Sequence, residues 1–217
     1  MKLIKEKSNT IQQDEVPIIE LEQVTKRFAK TEVLHDINIK FYAGEIYGFI
    51  GYNGSGKTVL FKCMCGLFLP DEGCVYAYGK PLKGEMLQDA GIIIENPAFL
   101  SGKTGKQNLE FLYMLNHKRD TKHIEQVLKQ VGLNPLSKKC VKNYSLGMRQ
   151  RLAIAQAIME NPKILILDEP MNGLDKKGIC EVREMLLSLK EQGTTIILAS
   201  HNREDIDVLC DIVYEME

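Results

Sequence analysis

From Ile18 onward, apolar and polar residues alternate in short runs: Ile18 to Val24, Ile37 to Phe41 (I-N-I-K-F) and Glu45 to Ile50, with the turn residues Ala43-Gly44 before the last. A period of two puts apolar side chains on one face of a strand and polar ones on the other, which predicts sheet with one wet face. Thr58 to Leu69 reads as an apolar helix stopped by Pro70, and Asp71-Glu72-Gly73 as a turn into a strand around Cys74 to Ala77. The middle third changes period. Leu109 to His117, His123 to Val131 and Met148 to Met159 carry apolar residues at helical spacing, with Gly132 as a C-cap. Ile164 to Leu167 (I-L-I-L), a helix near Lys176 to Lys190, Thr194 to Ala199, a short helix from Arg203 and Ile212-Val213-Tyr214 follow. Uninterrupted apolar strands alternating with helices predict an α/β fold with a mostly parallel sheet covered on both faces.

The expected organisation is a loose, polar extension over residues 1–16 and a single domain over residues 17–217, with a helical subdomain inserted at about 97–155. A chain of 217 residues buries a core without staples, and 44% apolar with 26% charged residues excludes disordered, collagenous and disulfide-framework classes. The net charge of -1 argues against a whole-molecule basic footprint for nucleic acid. It conceals a split, however. Residues 102–151 hold 11 basic and three acidic residues, net +8, against 17 basic and 26 acidic in the rest, net -9. The basic segment coincides with the helical insert, so one face is expected to meet something anionic. The six cysteines form no C-x-x-C pair and read as reduced, mostly buried small hydrophobes of a cytosolic chain. No apolar run reaches the roughly 18 residues of a membrane span, and Met1 to Lys7 lacks the apolar core of a signal peptide.

Gly51-Tyr52-Asn53-Gly54-Ser55-Gly56-Lys57-Thr58 fits G-x-x-x-x-G-K-[ST], fed by the strand Ile46 to Ile50 and followed by a helix. Phosphate binding requires backbone N–H groups to converge on oxygens, which a glycine-rich turn at a helix N-terminus allows. Gly51, Asn53, Gly54, Ser55 and Gly56 are the candidate cradle. Lys57 would reach the β- and γ-phosphates, and the Thr58 hydroxyl would ligate Mg²⁺. Ile164 to Leu167 ends in Asp168-Glu169, two carboxylates at the carboxyl end of a buried strand, where ligands of open α/β sheets bind. Asp168 is expected to hold Mg²⁺ and Glu169 to orient and polarise an attacking water.

Tyr144-Ser145-Leu146-Gly147-Met148, continued by Arg149-Gln150-Arg151, stands just before an amphipathic helix. Here the chain resembles the ATP-binding cassette (ABC) ATPases, whose signature is most often L-S-G-G-Q. The resemblance runs from about Ile18 to Tyr214 with the motifs in family order. It implies a P-loop NTPase fold with an N-terminal antiparallel β subdomain, and ATP and Mg²⁺ as cofactors. It also implies that Ser145 and the Gly147 N–H bind the γ-phosphate of ATP held by a second copy. By the same resemblance, Phe28 stacks on adenine, His201 is the switch histidine at the γ-phosphate, and Asp175, in Asn172-Gly173-Leu174-Asp175, lies in the loop that crosses the dimer interface with Ser145 and Gly147. The implied partners are that second copy, in a head-to-tail ATP-dependent dimer, and integral membrane transporter subunits. The implied place is the cytoplasmic face of the membrane.

Three departures stand out. Glu95, in Ile94-Glu95-Asn96-Pro97, occupies the place of a glutamine that senses Mg²⁺ and the γ-phosphate; a glutamate there resembles the ATPase subunits of bacitracin and lantibiotic exporters. A one-residue slip of register would put Asn96 there instead. Tyr52 stands where the loop commonly has proline, with its side chain expected to point away from phosphate. The chain stops at Glu217, where relatives turn back through another strand, so an unpaired sheet edge is expected at Ile212 to Tyr214. The expected function is the ATP-hydrolysing subunit of an exporter, with peptide antibiotics as its cargo. The alternatives are a soluble ABC ATPase acting on DNA or the ribosome, supported only by the basic insert, and a nucleotide-gated binding module, opposed by Lys57, Asp168, Glu169 and His201.

Overall fold

The structure is a computed structural model that describes residues 1–6, 16–95 and 97–216. In chain order the elements are β1 (Lys2–Glu6), β2 (Ile19–Phe28), β3 (Thr31–Phe41), β4 (Ile46–Gly51), α1 (Lys57–Met64), β5 (Glu72–Ala77), β6 (Lys80–Pro81) and β7 (Ala90–Ile93). There follow α2 (Gly105–Tyr113), α3 (Thr121–Gln130), a 3₁₀ turn over Val141–Asn143, α4 (Leu146–Ile158), β8 (Ile164–Asp168), α5 (Lys176–Glu191), β9 (Thr195–Ala199), α6 (Arg203–Leu209) and β10 (Ile212–Met216).

A six-stranded sheet in the order β1-β10-β4-β9-β8-β7 is parallel from β10 to β7, and a four-stranded antiparallel sheet, β3-β2-β5-β6, packs against it. The I-L-I-L run explains the layering. In β8, Ile164 and Ile166 face one core, with α1 and the antiparallel sheet, while Leu165 and Leu167 face the other, with α4 and α5. All four are buried, each contributing about 1.5–3 kcal/mol relative to exposure. In β3 the alternation is one-sided: Ile37, Ile39 and Phe41 are buried and Asn38 and Lys40 exposed, as the period of two predicts.

Four expectations are corrected. Of the extension expected to be loose, residues 2–6 form β1, which pairs antiparallel with β10 in the register Lys2↔Glu215 to Glu6↔Ile212; residues 7–15 lie outside the described residues. β10 is therefore no edge, because β1 satisfies the side that β4 leaves open. The apolar helix ends at Met64 rather than Leu69. Gly66 turns the chain at φ 76° while the Leu87 N–H donates to the Cys65 carbonyl, and Leu67 and Leu69 are left exposed. The cysteines are all free, with Cys63, Cys65 and Cys210 buried; Cys74 and Cys140 are half-buried and Cys180 exposed, so burial is less general than expected.

Between β7 and β8, helix starts follow local chemistry. Thr104 and Gln107 form a reciprocal capping box at α2, and Asp120 caps α3 by accepting the His123 N–H. Arg151 of α4 ties this region to α5: its guanidinium donates to the Val131 carbonyl and to Glu181, both at 2.7 Å. Among the described residues no helix is long and apolar enough to cross a membrane.

Candidate functional site

The loop between β4 and α1 is positioned by the parallel pairing of β4 with β9 and β10, which brings its carboxyl end beside those of β8 and β9. Gly56 caps α1 at φ 94°, a left-handed conformation that favours glycine, and a Cβ there would sit tightly at 3.1 Å from the Val33 carbonyl. Lys57 is buried. Its ammonium donates to the Gly51 and Tyr52 carbonyls at 2.8 and 3.0 Å, and Ser55 Oγ lies 3.5 Å away. This arrangement folds the cation over its own loop.

Thr58 and Asp168, 110 positions apart in sequence, meet at 2.6 Å between Oγ1 and Oδ2. Beside them Glu169 leaves the strand at φ 52°. Its Oε1 accepts the His201 N–H at 3.0 Å, and its Oε2 lies 2.7 Å from His201 Nδ1. A cleft of about 360 Å³ opens over these groups, lined by Asn53, Gly54, Gly56, Lys57, Thr58, Asp168 and Glu169 and by Glu95, which was expected beside the Mg²⁺ with Thr58 and Asp168. The Glu95 carboxylate is turned to Lys62 of α1, at 2.6 Å from its ammonium. Asn96 lies outside the described residues.

The other expected residues stand elsewhere. Ser145 caps α4 by accepting the Met148 N–H at 3.2 Å, and neither it nor Gly147 lines the cleft. Gly147 instead packs on the Asn172–Asp175 loop, where a Cβ would come within 2.9 Å of the Gly173 carbonyl. Ser145, Gly147 and that loop thus form one continuous surface. Asp175 caps α5 through the Gly178 N–H at 2.9 Å. Phe28 is 42% exposed and outside the cleft lining, edge-on to Phe68 at 5.6 Å, with the Lys26 ammonium 5.7 Å from its ring centroid. Tyr52 is 86% exposed and does not line the cleft.

Three groups here were not singled out from the sequence. Gln150 lines the cleft and donates to the Pro170 carbonyl at 3.0 Å, fixing the backbone that follows Glu169. Asn172 lines it from the interface loop, and Lys62 holds Glu95. In the sequence Gln150 continues the signature and Asn172 opens the interface-loop motif, while nothing marks Lys62. The hydroxyl and carboxylate of Thr58 and Asp168 are hard oxygen donors suited to Mg²⁺, and the N–H-rich loop with Lys57 is suited to phosphate.

Comparison with known proteins agrees with this geometry. The family model described as "ABC transporter" matches residues 34–172. The chain is 43% identical over 201 residues to the uncharacterized ABC transporter ATP-binding protein YybJ of Bacillus subtilis (strain 168), covering 92% of each chain. It is 42% identical to the bacitracin transport ATP-binding protein BcrA of Enterococcus faecalis, over 90% of this chain but 65% of that one, so it spans just under two thirds of BcrA. With the lantibiotic transport ATP-binding protein SrtF of Streptococcus pyogenes the identity is 36%, over 90% of this chain and 85% of SrtF. Among solved structures, cbiO1 of Clostridium perfringens, part of the ABC transporter complex cbiONQ, superposes with a TM-score of 0.80 at 30% identity, covering 94% of this chain and 86% of that one. The ATP-binding cassette MJ0796, a dimer in a post-hydrolysis state with ADP and Pi, gives 0.82 at 23% identity, over 92% of this chain and 94% of that one, a likeness of fold.

Proposed function

The chain belongs to the ABC transporter family of ATP-binding subunits, whose activity is ATP hydrolysis, and from that premise we propose that two copies close head to tail around ATP and Mg²⁺ to power peptide-antibiotic export through separate membrane subunits. The observation that carries the reading is the division of the site. The cleft holds Lys57, Thr58, Asp168 and Glu169, while Ser145 and Gly147 lie outside its lining, with Gly147 packed on the Asp175 loop. A site so divided is completed by a second copy's signature helix, whose N-terminal N–H groups and Ser145 hydroxyl suit a γ-phosphate.

The Gly51–Thr58 loop binds the phosphates by its N–H groups, and Lys57 exchanges its carbonyl partners for phosphate oxygens. Phe28 offers its exposed face to adenine. Thr58 and Asp168 would hold Mg²⁺, with Glu95 adding negative charge beside them; the ion, when bound, neutralises charge on the transferring phosphoryl group. Glu169 orients a water for attack and takes its proton, while His201 fixes the carboxylate by both its backbone N–H and its ring. Attachment is peripheral, on the cytoplasmic face through the membrane subunits, with no stable nucleic-acid partner. Cargo follows from the likeness to BcrA and SrtF together with the acidic residue at position 95.

Glu169→Gln tests the chemistry. It keeps the shape of the side chain and removes the base, so turnover should fall about 10²- to 10⁴-fold while ATP binding persists and an ATP-dependent dimer accumulates on size-exclusion chromatography. A variant that hydrolyses ATP normally and stays monomeric overturns the assignment. For the cargo, disruption of the gene in its host should raise sensitivity to bacitracin or a lantibiotic, and unchanged sensitivity to both removes that part.

A further inference from the structure

The most deeply buried carboxylate outside the cleft belongs to Asp205 of α6, 1% exposed, and the proposed chemistry makes no use of it. A buried carboxylate is costly unless its oxygens are engaged, and here both are. Asp205 Oδ1 takes the Arg183 guanidinium of α5 through Nε, at 2.9 Å, and Nη2; Oδ2 accepts the Ser200 hydroxyl at 3.3 Å. Arg183 spends its remaining reach on Glu204, at 3.0 Å. Ser200 is 2% exposed, and its hydroxyl also accepts the Asn202 N–H at 3.1 Å. The residue bracketed by Ser200 and Asn202 is His201, which holds the Glu169 carboxylate.

We propose that Asp205, locked by Arg183, is a positioning residue: through the Ser200 hydroxyl it fixes the turn that carries His201, and through His201 it fixes Glu169. A serine hydroxyl has one proton to give. With the Arg183-paired Asp205 as its acceptor, that proton points into α6, and a lone pair is left for the Asn202 N–H. The turn is thus pinned on both sides of His201 by one atom. The pinning is needed because the turn borders a cavity of about 170 Å³, lined by Glu169, Asn172, Ser200, His201 and Asp205 among others, which leaves room for His201 to swing away. Arg183 sits two turns along the helix that Asp175 caps, so the helix that begins at the proposed dimer surface reaches this turn through the Arg183 side chain. The inference rests on the assignment of Glu169 and His201 as the catalytic pair.

The test is steady-state ATP hydrolysis by the full chain, with nucleotide affinity and thermal melting measured on the same samples. Ser200→Ala removes both hydroxyl bonds and leaves the Arg183–Asp205 pair whole. It should lower kcat about 10-fold, with ATP affinity within about 2-fold and the protein folded at the assay temperature, because loosened alignment costs turnover rather than binding. Ser200→Thr, which keeps the hydroxyl, should restore kcat to within about 3-fold of the original. Asp205→Asn, whose amide can offer Ser200 a donor instead of an acceptor, should reproduce the kcat loss and supplies the test if Ser200→Ala does not fold. A kcat within about 2-fold of the original in a folded Ser200→Ala or Asp205→Asn protein overturns the inference. So does a loss that only follows the unfolded fraction. If Glu169→Gln and His201→Ala also retain full turnover, the catalytic assignment itself fails; if those two are inactive and Ser200→Ala is not, only the positioning role fails.

Discussion

Replacing Glu95 by glutamine separates two ways in which a carboxylate beside the cleft can act. In the structure it faces Lys62, at 2.6 Å, with side chains 65% and 21% exposed. An ion pair this open contributes about 0–1 kcal/mol to folding, which for a chain of this size moves the melting temperature by no more than about 3 °C. Its effect on the nucleotide is equally modest. Lys62 lies five positions past Lys57 on α1, about 7.5 Å at 1.5 Å per residue. Unit charges at that distance interact by about 0.5–1 kcal/mol in a solvent-like dielectric, and physiological salt removes more than about half of it. Freeing the Lys62 charge should therefore tighten nucleotide binding only about 2-fold at low salt, with the gain vanishing in about 0.5 M salt. Lys62→Gln leaves Glu95 uncompensated and should weaken binding by the same factor, and the double variant should return to the starting affinity. Titration with a fluorescent ATP analogue in excess Mg²⁺, at two ionic strengths, reads all three. A loss of about 10-fold or more in Glu95→Gln, independent of salt, would refute the reasoning, since it would make Glu95 a direct metal ligand rather than a charge held nearby.

Two further substitutions probe the frame around the site. Lys57→Ala removes a buried cation whose charge-assisted contacts are worth about 1.5–3 kcal/mol each, so nucleotide affinity should fall about 100-fold in the same titration; unchanged affinity would mean that the loop does not cradle phosphate. Asp211 anchors the start of β4. Burial pushes its carboxyl up, but Lys190 at 2.6 Å and the Ile46 N–H at 2.8 Å prevail and hold it below the usual carboxylate range. A depressed folded value means stability that is present above the unfolded value, near about 4, and lost as pH falls through the folded one. Asp211→Asn should thus cost about 1–3 kcal/mol in urea unfolding at pH 7, and the difference should shrink below about pH 4; a pH-independent difference would leave the ion pair without a role.

What could be read from the sequence was whatever repeats over a few residues or carries a fixed spacing. The I-L-I-L run, short, β-branched at alternate positions and ending in two acids, reads as a strand buried on both faces, and it is; the glycine loop lies between the strand and helix that its chemistry demands. What could not be read was decided between distant segments. Lys2 to Glu6 has two adjacent apolar residues and no strand period, and becomes β1 because β10 offers an open row of backbone groups. Lys62, Arg183 and Asp205 look in sequence like charges on solvated helix faces. Only the packing of α1 beside the Glu95 turn and of α5 beside α6 gives them partners. The apolar run outlasts α1 because Leu67 and Leu69 extend the apolar stretch although both are exposed.

The two acids that follow the parallel strands share a further property that ties fold to chemistry. Glu95, just past β7, and Glu169, just past β8, have φ of 63° and 52°, the left-handed region that non-glycine residues enter at a cost of about 1–2 kcal/mol. Glycine would adopt either turn without that cost, so the strain is retained for the side chain it carries. At Glu169 the compensation is visible. Its N–H donates to the Ala199 carbonyl at 3.0 Å, and its carboxylate accepts the His201 N–H, so the end of β9 grips the residue at backbone and side chain together. A carboxylate clamped at both ends cannot relax into an easier backbone without breaking the hydrogen bonds that aim it. The left-handed turn is thus the geometric condition for placing a base at the mouth of the cleft, immediately beyond Asp168 and its contact with Thr58.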